Sequence, residues 1–231
     1  MNPFPGGVER AIPLVYISMQ AVDIETRYLE LIRRHRINPE VGLGFHSLET
    51  MGERRLKRLA GEIRSIGVRA TAHCPFNEIF PGAPDPVIRS AAIDRLNYAF
   101  SIARHFSPRA IVMHLNYEER RFRYLYERWL GAVLPVIARF AEKAAGAGAI
   151  LSLENVYEET PDGMRDVLDR LSASNVYMCL DVGHVRAFSS TSLPEWIDAT
   201  IPYVRQLHLH DNDGAGDRHL PIGAGSIDFG A

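Results

Sequence analysis

The sequence is poor in the features that mark secreted, membrane-bound or nucleic-acid-coating proteins. Only two cysteines, Cys74 and Cys179, occur in 231 residues, and they form no CxxC pair. A disulfide framework is thereby excluded, and a thiol-reducing compartment is the expectation. No apolar run approaches the roughly 20 residues that a membrane helix needs. The Met1-Asn-Pro-Phe-Pro start lacks the basic-then-apolar pattern of a secretory signal. An excess of one charge is missing too. The 26 Lys and Arg against 28 Asp and Glu leave a formal charge of -2, which offers no overall attraction to nucleic acid or anionic lipid. Neither GxGxxG nor GxxxxGK(S/T) occurs, so the two common phosphate-loop signatures are absent.

What remains is ordinary globular composition, 46% hydrophobic and 23% charged. The length suits one sizeable core. The expectation is a cytoplasmic protein forming a single domain over residues 1–231, whose overall charge argues against a membrane or nucleic-acid partner while leaving room for a local patch. A homo-oligomer is compatible with this composition.

Short β-rich runs alternate with longer helical ones. Strands are predicted at 14–19, 41–45, 68–73, 110–115, 149–156, 176–182 and 204–210. Helices are predicted at 26–35, at 55–66 with Gly67 as the stop, at 86–106 and at 124–145. Two more open at Thr160-Pro-Asp and at Ser192-Leu-Pro-Glu, each with an N-cap residue in place. Seven strand-then-helix repeats specify an α/β fold with a parallel sheet and outer helices. A (β/α)₈ TIM barrel is favoured over an open doubly wound sheet, because polar residues recur at the same end of nearly every strand. The count stops at seven strands. The last helix and eighth strand have no sequence to form them, so the barrel is expected to be C-terminally incomplete, part of a longer one.

Histidines and acids fall at those strand ends. His46, His73, His114, Glu154, Asp181 with His184, and His208 with His210 follow successive strands, and Asp217 and His219 lie in the final loop. Seven of the nine histidines belong to this set; only His35 and His105 sit in predicted helices. The C-terminal ends of parallel barrel strands converge on one mouth. Imidazole nitrogens and carboxylate oxygens gathered there suit a divalent ion, Mn, Zn, Co or Fe. Any one of these residues has an ordinary explanation as a core or capping group. Their joint recurrence points to metal.

Several motifs resemble those of the xylose isomerase-like TIM barrel superfamily: Thr71-Ala-His-Cys-Pro-Phe, Met113-His-Leu, Leu153-Glu-Asn, Leu180-Asp-Val-Gly-His and His208-Leu-His-Asp-Asn-Asp-Gly, followed by Asp217-Arg-His-Leu-Pro-Ile-Gly. That superfamily holds sugar and sugar-phosphate isomerases and epimerases, and endonuclease IV. The resemblance implies Glu154, Asp181 and His208 as the core metal ligands. It matches His73 and His114 to the pair that holds another zinc in endonuclease IV, and His184, Asp217 and His219 to that enzyme's third-zinc set. In single-metal isomerases the position of His184 contacts substrate instead. The family's strand-eight glutamate has no counterpart in these 231 residues.

Two activities follow from the resemblance. A metal-dependent isomerase or epimerase would move a proton through an enediolate on a sugar or sugar phosphate. Glu154 would act there as ligand and acid/base, with His184 and His219 as catalytic contacts to hydroxyls. His73, His114, Asp217 and His210 would be candidates for additional metal or substrate contacts. The second activity is zinc-dependent cleavage at abasic DNA, and a barrel that binds metal or sugar without turnover is a third reading. The best cationic candidate for DNA is 117–129, with Arg120, Arg121, Arg123 and Arg128, and Glu118, Glu119 and Glu127 dilute it. Isomerase chemistry is therefore preferred.

Weaker signals complete the reading. Gly223-Ala-Gly-Ser226 could offer backbone amides to a phosphate, although a plain turn fits better. Asp211-Asn-Asp-Gly looks like a calcium loop but lacks the EF-hand spacing. Cys179 shares strand parity with Asp181 and is expected inside the barrel. Asn155 and Asn212 adjoin candidate ligands and could orient them.

Overall fold

The computed structural model describes residues 14–230; the Met1–Pro5 start and Ala231, on which the signal and chain-end readings rest, lie outside them. Seven parallel strands pair in chain order, β1 to β7, as one curled sheet with the helices outside. They are β1 (Ile17–Gln20), β2 (Pro39–Gly42), β3 (Thr71–His73), β4 (Ala110–His114), β5 (Ile150–Glu154), β6 (Val176–Asp181) and β7 (Val204–His208). This is the TIM-barrel-like architecture without its eighth unit among the described residues. No helix of the described residues is long and apolar enough to cross a membrane.

Strand parity divides the sheet into two chemistries, because alternate side chains face opposite sides. Ala72, Ile111, Met113, Leu151, Leu153, Met178 and Leu180 face the helices and join one buried cluster with Leu56, Phe100, Ile137 and Phe140. The other parity is polar for a barrel interior: Glu40, Thr71, His73, His114, Ser152, Glu154, Asp181, Gln206 and His208. In-register pairs Glu40 with Thr71, His114 with Glu154 and Asp181 with His208 keep these residues on one face. Cys179 lies on this inner side, buried against His208, as its parity implies.

The helices follow local signals. Helix Phe45–Ile66 ends on Gly67, whose left-handed φ of 75° suits a residue without Cβ. Ser192 caps Leu193–Thr200 with a complete capping box through Glu195. Thr160 behaves differently from its predicted capping role: its hydroxyl donates to the Asp162 carboxylate, and Pro161 holds the N-cap position without a side-chain bond. The second strand is also displaced. It ends at Gly42, and extended Gly44 starts a helix at Phe45, so His46 lies exposed in the first helical turn and away from the interior. Phe140, fully buried on helix Tyr126–Gly146 and packed on Phe100 at 4.7 Å, anchors the helix layer. Phe140→Ala is expected to cost about 3–5 kcal/mol, read from the midpoint of denaturant unfolding.

Candidate metal centre

The four strands from β4 to β7 end in His114, Glu154, Asp181 and His208, and β3 ends in His73. Parallel pairing puts these last residues at one mouth. Glu154 is the hub. Its Oε2 lies 3.0 Å from His73 Nε2, 3.1 Å from His114 Nε2 and 3.2 Å from His208 Nδ1, and its Oε1 lies 3.3 Å from His184 Nδ1. His208 Nδ1 is also 3.7 Å from Asp181 Oδ2. The three residues expected as core ligands, Glu154, Asp181 and His208, are thus brought together.

The second set forms beside them. The Asp181 side chain caps the helix Val182–Phe188 by accepting from the His184 N–H at 2.7 Å, and its carboxylate lies 3.1 Å from His210 Nε2. Asp217 Oδ2 lies 3.4 Å from His184 Nε2 and 3.1 Å from His219 Nε2. His219 stacks on His210 at 3.8 Å with nearly parallel rings. Gly183 permits this closeness, since a Cβ there would stand 2.0 Å from His210 Cε1.

Backbone and amide groups fix the rings. His73 Nδ1 donates to the Cys74 carbonyl at 2.8 Å, which leaves Nε2 as the nitrogen facing Glu154. His184 Nδ1 is 2.8 Å from the Asn155 carbonyl, and the Asn155 amide group bridges the Asp181 backbone at both N–H and C=O. Asn212 donates to the Gly183 carbonyl at 3.3 Å. Asn155 therefore holds the end of β6 that carries Asp181, and Asn212 holds the first turn of the helix that carries His184. The Gly223–Ser226 turn is self-occupied: its Gly223 and Gly225 amides donate to Asp211, as a turn does.

Burial alone would raise the Glu154 carboxyl, yet His114 and His208 outweigh it and hold it well below the usual carboxylate range. Burial pulls His184 down, but Asp217, Asp181 and Glu154 carry it up to about 9. His114 moves the other way, lowered mainly by burial. Its Nδ1, like that of His210, is buried without a hydrogen-bond partner among the described residues. His73 Nε2 and His114 Nε2 stand 3.2 Å apart around one carboxylate oxygen. Such crowding of lone-pair donors around a buried anion matches the ligand shell of a divalent ion better than a hydrogen-bonded pair. Three groups of side chains offer ligand atoms within 4.8 Å of one another: His73, Glu154 and His208; Glu154, Asp181 and His184; and His184, His210, Asp217 and His219. The donor set fits a metal.

The model of the xylose isomerase-like TIM barrel matches residues 23–231. The chain belongs to that family. Among solved structures, this family member is similar to the TTHB071 protein of Thermus thermophilus, soaked with ZnCl₂. The two are 26% identical, with a TM-score of 0.79, over 92% of this chain and 84% of that one. It also shares its fold with a D-tagatose 3-epimerase-like protein, at 22% identity and a TM-score of 0.74, over 93% and 82% of the two chains. A curated relative is the uncharacterised protein MJ1311 of Methanocaldococcus jannaschii, 24% identical over 169 residues, 70% of this chain. The chain spans 58% of that relative's length and 65% of a second one's, the uncharacterised MJ1614.

One residue of the xylose isomerase-like interior escaped the sequence reading. Glu40 on β2 is buried and reaches His208 Nε2 at 3.0 Å. The strand predicted at 41–45 left it outside, one residue before its start. The signal that could have found it is parity with Gly42 in a strand opened by Pro39.

Proposed function

We propose that the chain is a divalent-metal-dependent isomerase or epimerase of a sugar or sugar phosphate. The observation that carries this reading is the buried Glu154 carboxylate, held ionised at the mouth within 3.3 Å of four imidazoles. Glu154, Asp181 and His208 would hold Mn, Zn, Co or Fe, with His73 and His114 against the same carboxylate. A bound ion polarises neighbouring carbonyl and hydroxyl oxygens and so acidifies the C–H between them. Glu154 would take and return that proton. His184 and His219 would hydrogen-bond substrate hydroxyls, beside Asp217 and His210. Phe76, stacked on His114 at 4.7 Å, and Tyr157, edge-on to Phe188 at 5.1 Å, present partly exposed rings near this site. Such faces suit the apolar side of a sugar.

A second reading, phosphodiester cleavage, is favoured by one observation: the three donor groups share Glu154 and His184, as a multinuclear cluster would. The cationic segment argues against it. Arg120 pairs with Glu159, Arg123 lies 3.1 Å from Glu119 and 3.6 Å from Glu159, and Trp129 is buried against Tyr117. Arg121 lies outside the described side chains. Two of its arginines thus meet carboxylates and exposed Arg128 donates to the Pro84 carbonyl at 3.3 Å, so acidic neighbours dilute the charge a DNA backbone would meet.

Metal content and substrate turnover test both. One ion per chain with interconversion of a small ketose or its phosphate is the expected result, and His208→Ala should lose most of that metal while His35→Ala keeps it. Two or three ions per chain, nicking of an abasic-site duplex and no action on ketoses would replace the first reading with the second.

A further inference from the structure

We infer that Glu40 is the positioning residue of His208, holding its ring so that Nδ1 faces Glu154 and Asp181. The inference rests on the metal reading above and extends it to a strand on the opposite wall. Glu40 belongs to β2, and His208 ends β7, so the contact spans the barrel interior. Its two oxygens have separate duties. Oε2 accepts from Thr71 Oγ1 at 2.9 Å and from Gln206 Nε2 at 2.7 Å. Oε1 lies 3.0 Å from His208 Nε2.

An ionised carboxylate can only accept, so His208 donates from Nε2. A neutral imidazole has one N–H, and the lone pair then sits on Nδ1. That atom is the one 3.2 Å from Glu154 Oε2 and 3.7 Å from Asp181 Oδ2. Gln206 Nε2 is also 3.3 Å from His208 Nε2, but an amide NH₂ is a donor only and already gives one proton to Glu40, so the acceptor that meets the His208 Nε2–H is Glu40 Oε1, closer at 3.0 Å. His73 and His184 are fixed by backbone carbonyls, whereas His208 depends on a side chain. A carboxylate behind a ligating imidazole fixes its tautomer and raises its basicity, and losing it typically costs about 10–100-fold in metal affinity.

Glu40→Gln makes the idea decidable. Thr71 and Gln206 both offer protons at Oε2, so a glutamine keeps its carbonyl there and turns its NH₂ toward His208. Nε2 must then accept, and the proton moves to Nδ1, in front of the carboxylates. Zinc affinity, measured by competition with a chromophoric chelator, should weaken about 10–100-fold. Long-range ¹H–¹⁵N spectra of the metal-free protein, at a pH where the ring is neutral, should show His208 Nε2–H in the wild type and Nδ1–H in the variant. Glu40→Asp, which retracts the charge by one methylene, should weaken zinc and keep the wild-type tautomer; it carries the test if Glu40→Gln does not fold. Wild-type zinc binding with an unchanged constant and tautomer in Glu40→Gln overturns the role of Glu40 alone. A wild-type chain that binds none of Zn, Mn, Co and Fe overturns the metal reading and this inference with it. A purely structural Glu40 would lower thermal stability and leave the tautomer in place.

Discussion

Glu154→Gln is expected to lower turnover by roughly 10²- to 10⁴-fold, the usual weight of a positioned acid/base group, and to remove most bound metal. Its carboxylate is 2% exposed, with imidazoles of His73, His114, His184 and His208 aimed at its two oxygens. An amide of the same shape has no charge to attract a cation or to accept a proton from carbon. It would also present an NH₂ to ring nitrogens that now face an anion. His73 and His208, both held above the ordinary imidazole value in part by Glu154, should titrate at lower pH in the variant. Ketose interconversion followed by NMR, with metal content from mass spectrometry, provides the check. Wild-type turnover and metal content in Glu154→Gln would take Glu154 out of the site.

How far the sequence carries to this site is a matter of strand parity. The apolar runs at 110–115, 149–156 and 176–182 are buried on both faces, and their ends show His114, Glu154 and Asp181 without ambiguity. The seven-strand count and parallel order follow from the same alternation. β2 is harder to read. Pro39-Glu-Val-Gly is four residues long and flanked by Leu43 and Gly44, and apolar content alone pulls the predicted strand two residues downstream. A shift of this kind moves Glu40 out of the strand and brings His46 to its end, whereas Gly44 in extended conformation has already turned the chain into a helix. His210, Asp217 and His219 lie in the long segment after β7, where no period fixes direction; their convergence on His184 depends on how that loop closes.

That closure is the work of Asp211, and Asp211→Ala is expected to undo it. The carboxylate accepts four backbone amides: Asn212 at 2.8 Å and Ile227 at 3.1 Å on Oδ1, and Gly223 and Gly225 at 2.9 Å on Oδ2. Reciprocal backbone bonds to Leu220 at 2.8 Å draw the loop across on itself. Gly225 is needed for this approach, because a Cβ there would stand 2.4 Å from Asp211 Oδ1. Burial would raise the Asp211 carboxyl, but the four amides bring it down to about 2, against an ordinary 3.8. A depressed carboxylate stabilises the fold fully above its unfolded value, so this support is present above pH 3.8 and is lost as pH falls toward 2. In Asp211→Ala the amides of Gly223, Gly225 and Ile227 lose their acceptor at every pH. Their hydrogen-exchange protection should drop roughly 10- to 100-fold, as for the loss of a charge-assisted bond. Asp217 and His219 ride on the same loop, Asp217 being 3.4 Å from His184 and 3.1 Å from His219, so turnover should fall at least about 10-fold, as misplacement of contact groups does. Asp211→Asn, with one acceptor oxygen left, should fall between the two. Unchanged protection of those three amides in Asp211→Ala would show that the loop holds Asp217 and His219 by other means. Wild-type protection of the same amides, corrected for intrinsic exchange, should in turn weaken between pH 4 and 2 while the Asp211→Ala loop shows no such step.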